Sequence, residues 1–162
     1  MATLTVSAAD EKRVKGMGFL SNKGTDNFSA RIITINGKVT AEQMRAITDA
    51  AEKYGNGTIL FTTRLTVEVQ GIPYEKIDEF KAAIEAAGMS CGGTGSKVRP
   101  VVSCKGTTCQ YGLIDTFALS EEIHHRFYEG YRKTGSERSG YHRTENSGVR
   151  RGQLQRMQEM FG

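Results

Sequence analysis

Thr58-Ile59-Leu60-Phe61-Thr62-Thr63-Arg64-Leu65-Thr66-Val67-Glu68-Val69 sets two β-rich runs back to back. Thr58 to Thr62 is a short run of β-branched and aromatic residues. Leu65 to Val69 alternates Leu65, Val67 and Val69 with Thr66 and Glu68, the period of a half-buried strand. So short a connection makes the two runs neighbouring antiparallel strands. A pair of consecutive strands rules out a purely alternating β-α-β-α chain, and the flanks decide what replaces it.

Upstream, Phe28 to Ile35 is another β-branched run, ending at the turn signal Asn36-Gly37. Thr40-Ala41-Glu42-Gln43 has the spacing of a capping box. Met44, Ile47, Ala51 and Tyr54 then share one helical face, and Gly55 with Asn56-Gly57 ends the helix. Downstream, Pro73 opens a second helix whose face carries Ile77, Phe80, Ile84 and Ala87, closing at Gly88. The order strand, helix, strand, strand, helix defines an α+β fold, a ferredoxin-like split β-α-β-β-α sheet with both helices on one face. Either the stretch around Met89 to Cys91 or Val98 to Val102 supplies a fourth strand. The other sheet face is left to line a site or meet a partner.

Residues 1–27 are polar and broken by Gly16, Gly18 and Gly24, which predicts an extended arm. Past the sheet, Val101-Val102 reads as the end of a buried strand leading into Cys104-Lys105-Gly106-Thr107-Thr108-Cys109. Two thiols on a polar turn converge on one point, an arrangement suited to a metal or cluster. A helical pattern begins near Gly112, and Leu119, Ile123 and Phe127 repeat within a helix to about Arg132. Beyond it the chain is polar and glycine-rich, and such a segment buries too little surface to order itself. Within it, Gln153 to Phe161 has the spacing of a short amphipathic turn or two.

The chain of 162 residues, 38% hydrophobic and 25% charged, is long enough for one ordinary domain or one and a half small ones. No apolar run reaches the ~20 residues of a membrane span, and the N-terminus has no signal-peptide core. This predicts a cytoplasmic protein without membrane contact, its thiols reduced. The net charge of +4 resides in residues 132–162, with seven basic against three acidic side chains, and that tail lacks interleaved aromatics. Nucleic acid is therefore not the favoured partner.

Phe61-Thr62-Thr63-Arg64-Leu65-Thr66-Val67-Glu68-Val69-Gln70-Gly71-Ile72 resembles the signature of the ferredoxin-like half domain of siroheme-dependent nitrite and sulfite reductases. Val98 to Cys104, continuing through Cys109-Gln110-Tyr111-Gly112, resembles the start of that family's iron–sulfur and siroheme domain. Lys12 to Thr25 is similar to the arm of the small anaerobic members. The resemblance divides the chain into an arm at 1–27, the half domain at 28–90, the start of an incomplete cluster-binding domain at 91–132, and a basic polar tail at 133–162. It implies an oxidoreductase reducing sulfite to sulfide or nitrite to ammonia, with siroheme, a 4Fe-4S cluster and an electron donor protein such as a ferredoxin. A homodimer, or a missing second half, is the implied assembly.

Carried onto this sequence, the resemblance makes Arg64 and Arg99 catalytic residues at the anion. It gives Arg64, Thr62, Thr63 and Thr66 contacts to siroheme carboxylates, and makes Cys104 and Cys109 cluster ligands. A guanidinium suits both carboxylate and oxyanion by bidentate bonding. The family's second cysteine pair has no counterpart here, since Cys91 is the only other cysteine. The expectation is a chain inactive alone, with the look of a truncated or frame-shifted end. Beside this stand two other readings, a non-catalytic ferredoxin-like interaction module and a small thiol-based metal or redox binder. The latter includes a zinc site from Cys91, Cys104, Cys109 and His124 or His125.

Overall fold

A computed structural model describes residues 6–95 and 97–129. Helix α1, Ala8–Gly16, precedes strands β1, Phe19–Ser21, and β2, Asn27–Ile33. Helix α2, Ala41–Tyr54, leads to β3, Ile59–Phe61, and β4, Val67–Pro73. A single 3-10 turn, Tyr74–Lys76, enters α3, Ile77–Ala86, followed by the two-residue strand β5, Ser90–Cys91. A second 3-10 turn, Gly106–Thr108, and helix α4, Thr116–Ile123, complete the described elements, the last turn passing into π-helical geometry over His124–Glu129.

The sheet is antiparallel, in the order β1-β2-β4-β3, with β5 pairing β2 beside β1. Residues predicted as strand, helix, strand, strand, helix therefore form the split α+β sheet. The capping box is present as read, with Gln43 N–H donating to Thr40 Oγ1 and Thr40 N–H donating to Gln43 Oε1. Phe28, Ala30, Ile32, Val67, Val69 and Ile72 bury one sheet face against Ile47, Ala51, Phe80 and Ile84 of the two helices. Phe80 meets Phe19 and Tyr54 edge-on, at centroid distances of 6.1 and 6.3 Å. Between Phe28 and Ala30 the β2–β4 register shifts. Gly71, at φ +76°, absorbs the bulge, keeping Ile72 and Val69 on the same buried face.

Four expectations are corrected. The arm is not extended, because Ser7 caps a nine-residue helix and Phe19–Ser21 pairs with β2. The cause is the edge of β2, whose backbone groups need partners. Arg31 N–H donates to Gly18 O at 2.8 Å and Arg31 O accepts from Gly92 N–H at 3.0 Å, so arm and post-sheet segment meet at one residue. The third strand begins at Val67 rather than Leu65, since Leu65 takes φ +56° in the preceding turn. Val101-Val102 does not end a buried strand, and of the two alternatives for the fourth strand Ser90–Cys91 supplies it. Val102 is 50% exposed, and no strand ends there. The helix after the cysteines starts at Thr116, where Asp115 accepts from the Phe117 and Ala118 amides, rather than near Gly112. The readings of a helix reaching Arg132, of the tail at 133–162 and of Gln153 to Phe161 lie outside the described residues.

Candidate functional site

Arg64 lies in the tight turn joining β3 to β4. Thr62 N–H donates to Thr66 O, Leu65 N–H donates to Thr62 O, and the Thr62 and Thr66 hydroxyls share a 2.7 Å hydrogen bond. The Arg64 and Thr66 amides both donate to Thr62 Oγ1. Thr62 and Thr66 thus shape the turn, and Thr66 is buried at 1% exposure. Thr63 and Arg64 remain exposed at its tip.

Arg99 is a loop staple as well as a candidate site residue. Its guanidinium donates to the carbonyl oxygens of Gly93 and Gly95. Desolvation lowers its pKa first, and the positive charges of Arg64 and Arg31 lower it further. Arg99 therefore feels the positive charge of both Arg64 and Arg31.

Arg31 is the member that sequence reasoning missed. It sits in β2 opposite Glu68, and its Nη2 lies 3.2 Å from Glu68 Oε2 in a largely buried ion pair. Its Nε is buried without a hydrogen-bond partner, the one such side-chain atom among the described residues. The available signal was an arginine inside an otherwise apolar and small-residue strand, at the parity facing away from the helices. Buried donors are normally satisfied, so this orphaned guanidinium nitrogen is a donor available to an acceptor-rich anion.

Cys104 and Cys109 flank the Gly106–Thr108 turn. Gly106 N–H points at Cys104 Sγ from 3.4 Å, and Cys109 N–H donates to Gly106 O at 2.9 Å. Gly106 adopts φ +51°, and the chain packs so closely that a Cβ on Gly112 would lie 2.0 Å from Gly106 O. Cys104 is exposed and Cys109 partly so, both within reach of a ligand from outside. The Cys104 carbonyl is held by the Thr116 hydroxyl at 2.6 Å and by Asn36 Nδ2 at 3.0 Å. Cys91 belongs instead to the core, paired with Ile32 in the sheet. His125 lies 3.9 Å from Glu121, and His124 stacks on Tyr128 at 4.8 Å. No group of three or more His, Cys, Asp or Glu side chains suited to a metal occurs among the described residues, so the four-residue zinc site is not formed there.

The donor sets thus differ in completeness. The arginine face fits an anionic group, whether a carboxylate or an oxyanion. The two thiolates are half of the four that a cubane cluster takes, so the described residues do not by themselves make a cluster site.

The fold is that of a ferredoxin-like half domain. Residues 21–87 match the nitrite/sulfite reductase ferredoxin-like half domain, and this stretch of the chain carries that family's half domain. It is 34% identical over 102 residues to an uncharacterized protein of Methanocaldococcus jannaschii, covering 63% of this chain and 37% of that one. It is 31% identical over 112 residues to one of the subunits of the anaerobic sulfite reductase of Salmonella typhimurium, covering 57% and 32%. The chain therefore spans about a third of the length of these relatives. Among solved structures, Mycobacterium tuberculosis NirA superimposes with a TM-score of 0.67 at 17% identity, over 76% of this chain and 26% of that one. Dissimilatory sulfite reductase I superimposes with a TM-score of 0.58 at 20% identity, over 64% and 25%. Both likenesses concern the fold. No helix of the described residues is long and apolar enough to cross a membrane.

Proposed function

We propose that this chain supplies the anion-binding face and one thiolate pair of a sulfite or nitrite reductase. The carrying observation is the set of arginines: a buried Arg31 Nε without a partner, and an Arg99 whose pKa is lowered first by desolvation and then by the charges of Arg64 and Arg31. Such a face holds a small oxyanion or the carboxylates of an anionic tetrapyrrole through forked hydrogen bonds. Arg64, free at the tip of its turn, moves onto the anion, while Arg99 is held near it by its two carbonyl contacts. Siroheme, when bound, would supply the iron that takes the oxyanion and the route by which electrons reach it. Cys104 and Cys109 would be two of four cluster ligands, the others coming from a further chain or copy. An electron donor protein such as a ferredoxin would serve the whole assembly.

The test is a titration of the purified chain with sulfite and with nitrite, followed by the shifts of amides in the 62–66 turn. Saturable binding should weaken about tenfold or more in Arg64→Ala, the loss of a charge-assisted bond, and recover only partly in Arg64→Lys. Equal binding in wild type and Arg64→Ala returns Arg64 to a solvated turn residue. A second arm adds iron, sulfide and siroheme anaerobically and assays reduction with a viologen dye. Sustained turnover by this chain alone would show that its missing ligands are present after all.

A further inference from the structure

The Arg64 turn and the cysteine turn are far apart in the chain, and the structure shows what sets them relative to each other. The connection between β2 and α2, residues 34–38, touches both. Thr34 donates its hydroxyl to Leu65 O, the carbonyl next to Arg64, and accepts from Gly37 N–H at 3.0 Å. Leu65 takes φ +56° there, and a Cβ on Gly37 would lie 3.3 Å from Leu65 Cβ, so the two turns pack against each other. Two residues on, Asn36 brackets the other turn. Its Oδ1 accepts from Ser103 N–H at 2.8 Å and its Nδ2 donates to Cys104 O at 3.0 Å. Asn36 is 6% exposed and holds φ +53°, a conformation that Asn tolerates better than most residues. Thr34 is equally buried, at 6%.

We propose that the Thr34–Asn36 turn is the positioning element of the site, fixing the Arg64 turn and the Cys104 turn in one mutual geometry. Neither Thr34 nor Asn36 is a catalytic residue. Each acts through the backbone it holds, Thr34 through Leu65 and Asn36 through Ser103 and Cys104. The inference rests on the reading of Cys104 and Cys109 as a ligand pair and of Arg64 as an anion contact. It adds the statement that the two are mechanically joined, so that loosening either arm of the turn is felt at the other.

The probe is cadmium ion alone, whose thiolate charge-transfer absorption reports binding by the cysteine pair in the reduced, full chain. Cys104→Ser and Cys109→Ser should each abolish the tight part of that signal. Asn36→Gly keeps the left-handed turn but deletes the bracket, and should weaken cadmium binding by about tenfold, in proportion to the hydrogen bonds lost. Asn36→Asp keeps the acceptor for Ser103 and loses the donor for Cys104. It provides the same comparison should the glycine variant fold poorly. The reading that separates positioning from local packing is the cross effect. Thr34→Val should lower cadmium affinity by about threefold through loss of the Leu65 contact, and Asn36→Gly should speed amide exchange in the 62–66 turn. Cadmium absorption that is indifferent to both serine variants overturns the ligand-pair reading on which the proposal rests. Absorption that needs both cysteines, yet is unchanged in Asn36→Gly, Asn36→Asp and Thr34→Val, leaves that reading standing and overturns the positioning role.

Discussion

Phe80 is fully buried between Phe19 and Tyr54, whereas Leu113 is 94% exposed on the loop after the cysteines. The two residues typify their regions. From β2 to β5 the chain is held by area: two helices press a continuous apolar face onto four strands. Among the described residues after Cys91 it is held largely by points. These include the Asn36 bracket, the Arg99 staple, the Thr116 hydroxyl on Cys104 O, the 3.1 Å contact of Ser103 and Ser120, and the Asp115 cap. Tyr111 at 81% and Ile114 at 57% exposure show how little apolar surface that region buries. Area-held structure resists single changes in proportion to volume removed. Point-held structure fails or survives at particular atoms.

The sharpest break of this contrast is a pair of truncations. Phe80→Ala should destabilise the protein by about 3–5 kcal/mol, a large share of a domain's total, because a buried ring leaves a cavity. Leu113→Ala should stay within about 0.5 kcal/mol, as expected of an exposed side chain. Denaturant unfolding of both variants decides it, and a cost above about 1 kcal/mol for Leu113 would place that loop with the core.

A smaller and more local effect is expected at Gly112. Its alanine would press a methyl against Gly106 O. Amides between Cys104 and Gly112 should exchange roughly tenfold faster in Gly112→Ala while those of β2 and β4 hold their protection. Equal acceleration in the sheet would mean that the two regions unfold as one.

The smallest effect concerns helix α1. Hydrogen bonds from Ser7 and Tyr74, with the Arg13 charge, hold the Asp10 carboxyl below its ordinary range. A depressed carboxylate contributes stability above its unfolded value and loses it as pH falls through the folded one. Amides of Ala8–Gly16 should therefore lose protection at acid pH before those of β4, by a small margin because Asp10 is exposed to solvent. Identical acid profiles would remove Asp10 from the account.

The area-held region was legible because its signals are periodic and local. The Thr40–Gln43 box, the Ile47–Ala51 and Phe80–Ile84 stripes, and the Val67–Val69 alternation each appear within a few residues. The misplaced start of β4 shows the limit. Leu65 continues the alternation in phase, and contacts that its neighbours in sequence do not announce, the Thr62–Thr66 pairing across the turn and the Thr34 hydroxyl on Leu65 O, take it out of the strand. Helix α1 was missed because it buries a single apolar residue, Val14, and so has no stripe to find. Its Ser7–Asp10 cap was the readable trace. In the site, Arg64, Arg99 and the cysteines could be named from a resemblance carried by short motifs. Arg31 and Asn36 could not, since one depends on what lies across the sheet and the other on residues 103 and 104.

The seam at Arg31 bears on how the chain can be divided. Its backbone N–H is met by Gly18 and its carbonyl by Gly92, and a Cβ on Gly18 would fall 2.4 Å from Gly92 N. A fragment beginning at Ser21 and ending with α3 would omit both partners. It would open the free margin of β2 along Ala30 and Arg31, a bare row of donors and acceptors that invites strand pairing between molecules and aggregation. The arm is thus a sealing strip for the sheet, and the same strip keeps the peptide bearing the orphaned guanidinium out of intermolecular contact.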